Sequence, residues 1–212
     1  MAIATPEKKK TKDRILDTAL DLFNLEGEPN VTTNAIADEL DMSPGNLHYH
    51  FKTKADLVQA LFVRFERKVS SLLILDKEEQ VDIVEAWMKL SLLFEIMWVY
   101  RFAYRDLAQL LAKYPPLRRS TAQLLHRKIS VAQQGCVILG ISKDEVDVGA
   151  LARNIVVLMT YWISFELACD VQGEDRSRFG RGAYQVTQLL LPHLDEAATQ
   201  AIRSLAGEYL DV

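Results

Sequence analysis

Residues 33–57 read TNAIADELDMSPGNLHYHFKTKADL, from Thr33 to Leu57. Two short helical patterns lie inside this stretch, separated by three residues. The first is expected over about Thr33 to Leu40, where Ile36, Ala37 and Leu40 recur on one face. Thr32 or Thr33 can cap it by accepting a backbone N–H bond. Asp41-Met42-Ser43 then makes a tight turn. The second helix is expected over about Pro44 to Phe51, with Ser43 as its cap and Pro44 at the first position, where a missing N–H costs nothing. Two helices joined this way form a helix-turn-helix. Ala37 is small where the helices must cross closely, and Met42, Leu47 and Phe51 complete a small core. That packing turns Gly45, Asn46, His48 and Tyr49 outward. The outward face is polar, short-stemmed and suited to base edges in a major groove. Spacing alone fits an ordinary polar surface helix equally well.

Upstream, Ile15, Leu16, Ala19, Leu22 and Phe23 mark a helix over residues 7 to about 26, with Gly27 as its stop and Glu28-Pro29-Asn30 as a turn. Downstream, Lys52-Thr53 is a break before a longer helix from about Lys54 past Leu72. The remainder reads as long helices over roughly 78–112, 116–139, 143–172, 177–192 and 195–210. Asp76, Pro115-Pro116, Gly140, Gly173 and Pro192 mark the breaks, and 174–182 reads as a loop and helix start. No strand alternation and no internal repeat is visible. The expected fold is all-α. A three-helix head over 1–52 is linked by a helix to a larger body over 53–212.

The composition agrees with this and narrows the function. Across 212 residues there are only 9 Gly and 6 Pro, too few for the turns of a many-stranded β fold, and 49% hydrophobic residues support a real core. The polar, charged start has no apolar run of a secretory signal. The longest apolar stretch, Ile155 to Phe165, reads as a buried helix too short to span a membrane. Cys136 and Cys169 form no paired-spacing motif and fit a reduced, cytoplasmic compartment. The net charge of −4 does not by itself point to nucleic acid. However, Lys8, Lys9, Lys10, Lys12 and Arg14 crowd the start, where a basic arm can meet phosphates or simply stay solvated. No nucleophile elbow, phosphate loop or zinc-helix motif is present, so an enzyme is not expected and neither is a cofactor. His48 and His50, at i and i+2 on a helix, point to nearly opposite sides, which makes them poor joint metal ligands.

The stretch from Thr33 to Leu57, with the preceding helix and its Phe23…Gly27 ending, resembles the signature of TetR-family transcription regulators over about 50 residues. The resemblance implies that the helix beginning near Gly45 is the recognition helix and that Tyr49, His50 and Lys54 hold the phosphate backbone. It places Thr33, Asn34, Ser43, Gly45, Asn46 and His48 at or near DNA contacts. Asp41 stands where the family usually has Gly. Asp tolerates the left-handed conformation better than most residues, so the turn can survive. His48 replaces a commoner Tyr, so the operator cannot be borrowed from relatives.

The same resemblance implies a homodimer on a double-stranded, pseudo-palindromic operator, with the last two long body helices forming a four-helix dimer interface. Leu151, Ile155, Leu158, Leu189 and Leu190 are the expected contacts, although they would also serve as monomer core. A small, mostly apolar effector is expected among Trp87, Phe94, Trp98, Phe102, Tyr104, Tyr161 and Trp162, large side chains that suit an adaptable cavity or plain packing. Arg101, Arg105, Arg118, Arg119 and Arg127 could receive an acidic head group, although such residues more often face water. Leu22-Phe23-Asn24, Tyr100-Arg101-Phe102 and Leu191-Pro192-His193-Leu194 are also similar to regulators of polyhydroxyalkanoate synthesis. That similarity would imply a fatty-acid or acyl-CoA effector, with activation of transcription as the alternative to repression. The expected function is a repressor whose effector moves the linking helix and changes DNA affinity. The rival is a helical ligand-binding or interaction protein that binds no DNA.

Overall fold

The structure is a computed structural model that describes residues 10–74, 83–144, 146–169 and 175–210, all helix, turn or loop with no strand among them. The chain divides into two compact units, Met1–Arg64 and Phe65–Val212.

The first unit is built on α1 (Thr11–Glu26), α2 (Thr33–Glu39), α3 (Pro44–His50) and the start of α4 (Lys54–Leu72). Gly27 ends α1 at φ 90°, donating its N–H to the Phe23 carbonyl, and a 3-10 turn over Glu28–Asn30 follows. Thr32 and Ser43 accept the N–H groups of Ala35 and Asn46, capping α2 and α3 as the sequence indicates. Asp41 takes up a left-handed φ of 50°, so the turn forms without glycine. Ile15, Phe23, Ile36, Ala37, Leu47 and Phe51 are buried together with Leu57 and Leu61 of α4. Leu40 and Met42, expected inside, are only half-buried.

The division falls after Arg64, later than the boundary after residue 52 drawn from the turn chemistry. The first turns of α4 are tied to the head by charge. Arg64 pairs with Asp13 and with Asp17, the latter at 2.9 Å. Burial alone would lower the Arg64 pKa, but hydrogen bonds to the two carboxylates outweigh this and raise it.

The second unit holds α5 (Ile83–Val99), α6 (Phe102–Arg105), α7 (Leu107–Lys113), α8 (Pro115–Ile138), α9 (Val148–Ala168), α10 (Asp175–Leu190) and α11 (Glu196–Leu210). α8 packs along α9, while α10 packs on α5, α9 and α11. The single helix expected over 78–112 is instead three. The chain turns at Tyr100–Arg101 and again at Asp106, because Tyr100, Phe102, Ala103 and Tyr104 are all buried. Successive residues cannot all face inward from one straight helix.

The helix start read within 174–182 falls at Asp175, two residues before the expected 177. Gly182 serves a close crossing rather than a turn: a Cβ there would lie 2.6 Å from the Phe94 ring and 2.9 Å from Trp162. Asp76 and Gly173, read as breaks, lie outside the described residues. α9 is 21 residues long, longer than the apolar Ile155–Phe165 stretch within it, and by length and composition only it could cross a membrane, a test that buried core helices also pass. Within this fold, Leu151, Ala152, Ile155, Met159 and Ile163 of α9 are buried.

Candidate nucleic-acid interface and body cavity

Leu47 is the buried anchor of α3, and the other side chains of that helix follow from its periodicity. Gly45, Asn46, His48 and Tyr49 are exposed, Tyr49 at 84%. Ser43 and Asn34 are exposed beside them, and Thr33 is half-buried at the first turn of α2. A Cβ on Gly45 would meet nothing within 4 Å, so the fold itself does not require glycine there. His48 Nδ1 lies 3.1 Å from the Lys52 carbonyl. A carbonyl only accepts, so Nδ1 carries the proton and Nε2 of the neutral ring is left as an acceptor. His50 is half-buried, its ring set edge-on to Tyr49 at 5.3 Å between centroids.

Lys54 sits differently from its exposed neighbours. Its Nζ is 2.9 Å from Glu28 Oε1, also donates to the Glu28 carbonyl, and lies 5.8 Å from the centre of the Phe23 ring. Glu28 is 3% exposed, so this ammonium balances a buried carboxylate. Of the basic arm, Lys8 and Lys9 lie outside the described residues, and Lys12 stands over the Phe51 ring at 5.3 Å. Among the described residues no group of three His, Cys, Asp or Glu side chains could hold a metal.

The body holds a cavity of about 180 Å³, open to the surface on one side, between the end of α4 and α5, α8, α9, α10 and α11, walled by Trp87, Leu93, Ile155, Met159, Val186 and Ile202 among others. Of the seven aromatics expected at a ligand site, only Trp87 lines it. Phe94, Phe102 and Tyr104 are buried elsewhere in the unit, Trp98 and Trp162 are half-buried, and Tyr161 is 58% exposed. The five arginines also lie away from it. Arg101 covers Trp98, Arg105 pairs with Asp106, Arg118 donates to the Leu111 carbonyl, Arg127 donates to Ser70, and Arg119 is exposed.

On α9, Val157, Tyr161 and Phe165 are 58%, 58% and 56% exposed and share one face at four-residue spacing. Of the expected dimer contacts, Leu151 and Ile155 are buried within the chain, while Leu158, Leu189 and Leu190 are half-buried.

Two family models match nearly the whole described chain. That for bacterial regulatory proteins of the tetR family covers residues 15–61, and that for bacterial transcriptional repressors covers residues 64–202. The chain belongs to the TetR family. It is also similar to a TetR-family transcriptional regulator from Marinobacter aquaeolei, whose crystal structure superposes with a TM-score of 0.85 at 31% identity, covering 95% of this chain and 99% of that one. An uncharacterized HTH-type transcriptional regulator, TtgW, from Pseudomonas putida is 30% identical over 81 residues, 38% of this chain and 58% of that protein. An HTH-type transcriptional regulator of Staphylococcus aureus is 43% identical over 51 residues, 24% of this chain and 28% of its own length. The matches to these two curated relatives thus span less than two thirds of either.

In this TetR-family regulator one polar residue of the body went unnoticed in the sequence. Lys128 is 3% exposed and lines the cavity. A signal was available: Leu117, Thr121, Leu124, Lys128 and Cys136 are all buried on α8, so a lysine stands inside a helical stripe of core residues.

Proposed function

We propose that this TetR-family protein is a homodimeric, operator-binding repressor switched by a small, mostly apolar effector held in its body, working in the cytoplasm where its DNA lies. The observation that carries the reading is the outward face of α3. Leu47 is buried, whereas Gly45, Asn46, His48 and Tyr49 are exposed and polar, on a helix capped at Ser43. Such a face offers donors and acceptors to base edges and a phenol to phosphate. Thr33, Asn34, Ser43 and His50 flank it as further contacts, with Lys54 reaching phosphate only insofar as Glu28 shares it.

The dimer reading is supported by the Val157, Tyr161 and Phe165 stripe, a row of large apolar side chains that water would otherwise cover. A C2 pair of α9 and α10 helices would bury it and set two heads on successive half-sites. Leu158 and Leu189 would sit at its margin. Effector control follows if the ligand binds one of two states better. A coupling of about 1–3 kcal/mol changes operator affinity by roughly 5–150-fold.

The test is binding of the purified protein to DNA fragments that it selects itself, measured at stated salt. Tyr49→Ala should weaken binding to every sequence alike, while Asn46→Ala should change the preference among sequences. Gly45→Leu should leave the melting temperature near that of wild type and abolish operator binding. Val157→Glu with Tyr161→Glu should give monomers by sedimentation. Indifference to every duplex at low ionic strength would end the reading.

A further inference from the structure

The cavity wall carries two lysines and one threonine among apolar residues, and no carboxylate among the described residues. The two lysines differ. Lys89 pairs with Glu85 one turn back on α5. Among the described residues the named neighbours of the Lys128 ammonium are neutral: Met97 Sδ at 3.9 Å and Tyr104 Oη at 3.4 Å, with the Tyr104 ring centre 5.7 Å away. A thioether, a phenol and a π face solvate an ammonium weakly, and a buried cation without a counter-charge is costly. Burial accordingly draws the Lys128 pKa down to about 8, which still leaves most of it charged at neutral pH. Lys89 is paired with Glu85 and Thr187 donates to the Tyr184 carbonyl, so Lys128 is the polar side chain of the wall beside which no described residue supplies a negative charge.

We propose that the Lys128 ammonium is the seat for the head group of a small apolar monocarboxylate whose chain fills the cavity between α5, α8, α9, α10 and α11. The proposal rests on the effector reading above and specifies its chemistry. A carboxylate forms charge-assisted hydrogen bonds to the ammonium and replaces the solvation lost on burial. One cation calls for one charge, so a phosphate dianion would leave a net buried charge. A neutral ester or thioester carbonyl would leave the ammonium uncompensated. The room, about 180 Å³, is a little larger than the ~150 Å³ apolar cavity that holds one benzene, which corresponds to a chain of about six to eight carbons. Tyr104 is a positioning residue, holding the lysine head by its hydroxyl.

Calorimetric titration of the full-length chain with octanoate, 1-octanol and an octanoyl thioester tests this. Octanoate should bind at least about tenfold more tightly than either neutral analogue. Lys128→Met should bring octanoate down to the level of 1-octanol while 1-octanol still binds. Equal binding of octanoate and 1-octanol to wild type, a preference that survives Lys128→Met, or thioester binding as tight as the free acid would each overturn the proposal, and so would failure of octanoate to bind. The wild-type comparison needs no variant to fold. Operator affinity is measured in parallel. Octanoate bound through Lys128 with operator affinity unchanged upholds the carboxylate seat and counts against effector control. Operator binding without octanoate binding removes the seat and leaves the DNA-binding reading intact.

Discussion

Glu28 in the head and Lys128 in the body are both 3% exposed, yet among the described residues only the first has an opposite charge beside it. Glu28 is answered by Lys54, which reaches it from the start of α4. The body can complete a pair too. Glu166 of α9, also 3% exposed, accepts two hydrogen bonds from Arg181 of α10, at 2.9 Å and 3.0 Å. Lys128 is answered by a phenol and a thioether. A completed pair locks two elements together and asks for nothing more. An incomplete one is a standing cost that a ligand of the right charge removes.

The comparison can be broken by four measurements. Arg181→Met should have the largest effect. It leaves the Glu166 carboxylate buried without its bidentate partner, and urea denaturation should report a loss of about 3–5 kcal/mol. Lys54→Met should cost less, about 2–4 kcal/mol, because Lys54 itself is 20% exposed and water can partly replace it. That loss in the head would lower DNA affinity whether or not Lys54 also touches phosphate, so the variant's melting temperature must be read before its binding. Lys128→Met should go the other way and stabilise the ligand-free protein by about 1–3 kcal/mol, since an unpaired buried ammonium gives way to an apolar chain of similar length. A destabilised Lys128→Met would show that the ammonium is already satisfied, and the contrast would fail.

The smallest effect concerns pH. The Lys128 pKa in the fold, about 8, lies below its ordinary 10.5. Between those values the unfolded chain binds more protons, so wild-type stability should rise with pH relative to Lys128→Met, by about 1 kcal/mol from pH 8 to 9. Burial raises the Tyr104 pKa above its ordinary 10.0, so above pH 10 the unfolded phenol ionises first and stability falls again. Denaturation midpoints of the two proteins at pH 7, 8, 9, 10 and about 11 separate these slopes.

The head was legible in the sequence because its rules are local. Caps at Thr32 and Ser43, the proline at the start of α3 and the turn at Asp41 each involve residues three or four apart. The outward face of α3 follows from the single buried Leu47. The body was less legible. Its helices were largely visible as periodic stretches, but the break at Tyr100–Arg101 was not, because it answers to α9, on which α6 packs. The aromatics counted toward a ligand site were chosen by size, and six of the seven do not line the cavity. Gly182 lies in the expected helix, but its role at a close helix crossing with Phe94 and Trp162 had no local signal.

Residue order along the chain thus determined the helical class, the helix-turn-helix and its polar reading face, since backbone hydrogen bonding and side-chain periodicity act within one or two turns. Which buried charge finds a partner, where an apolar cavity opens and which α9 side chains remain uncovered were settled only by folding. Each depends on helices distant in sequence converging on one point: Lys128 meets Tyr104 and Met97 from 24 and 31 residues away, separations that no local pattern encodes.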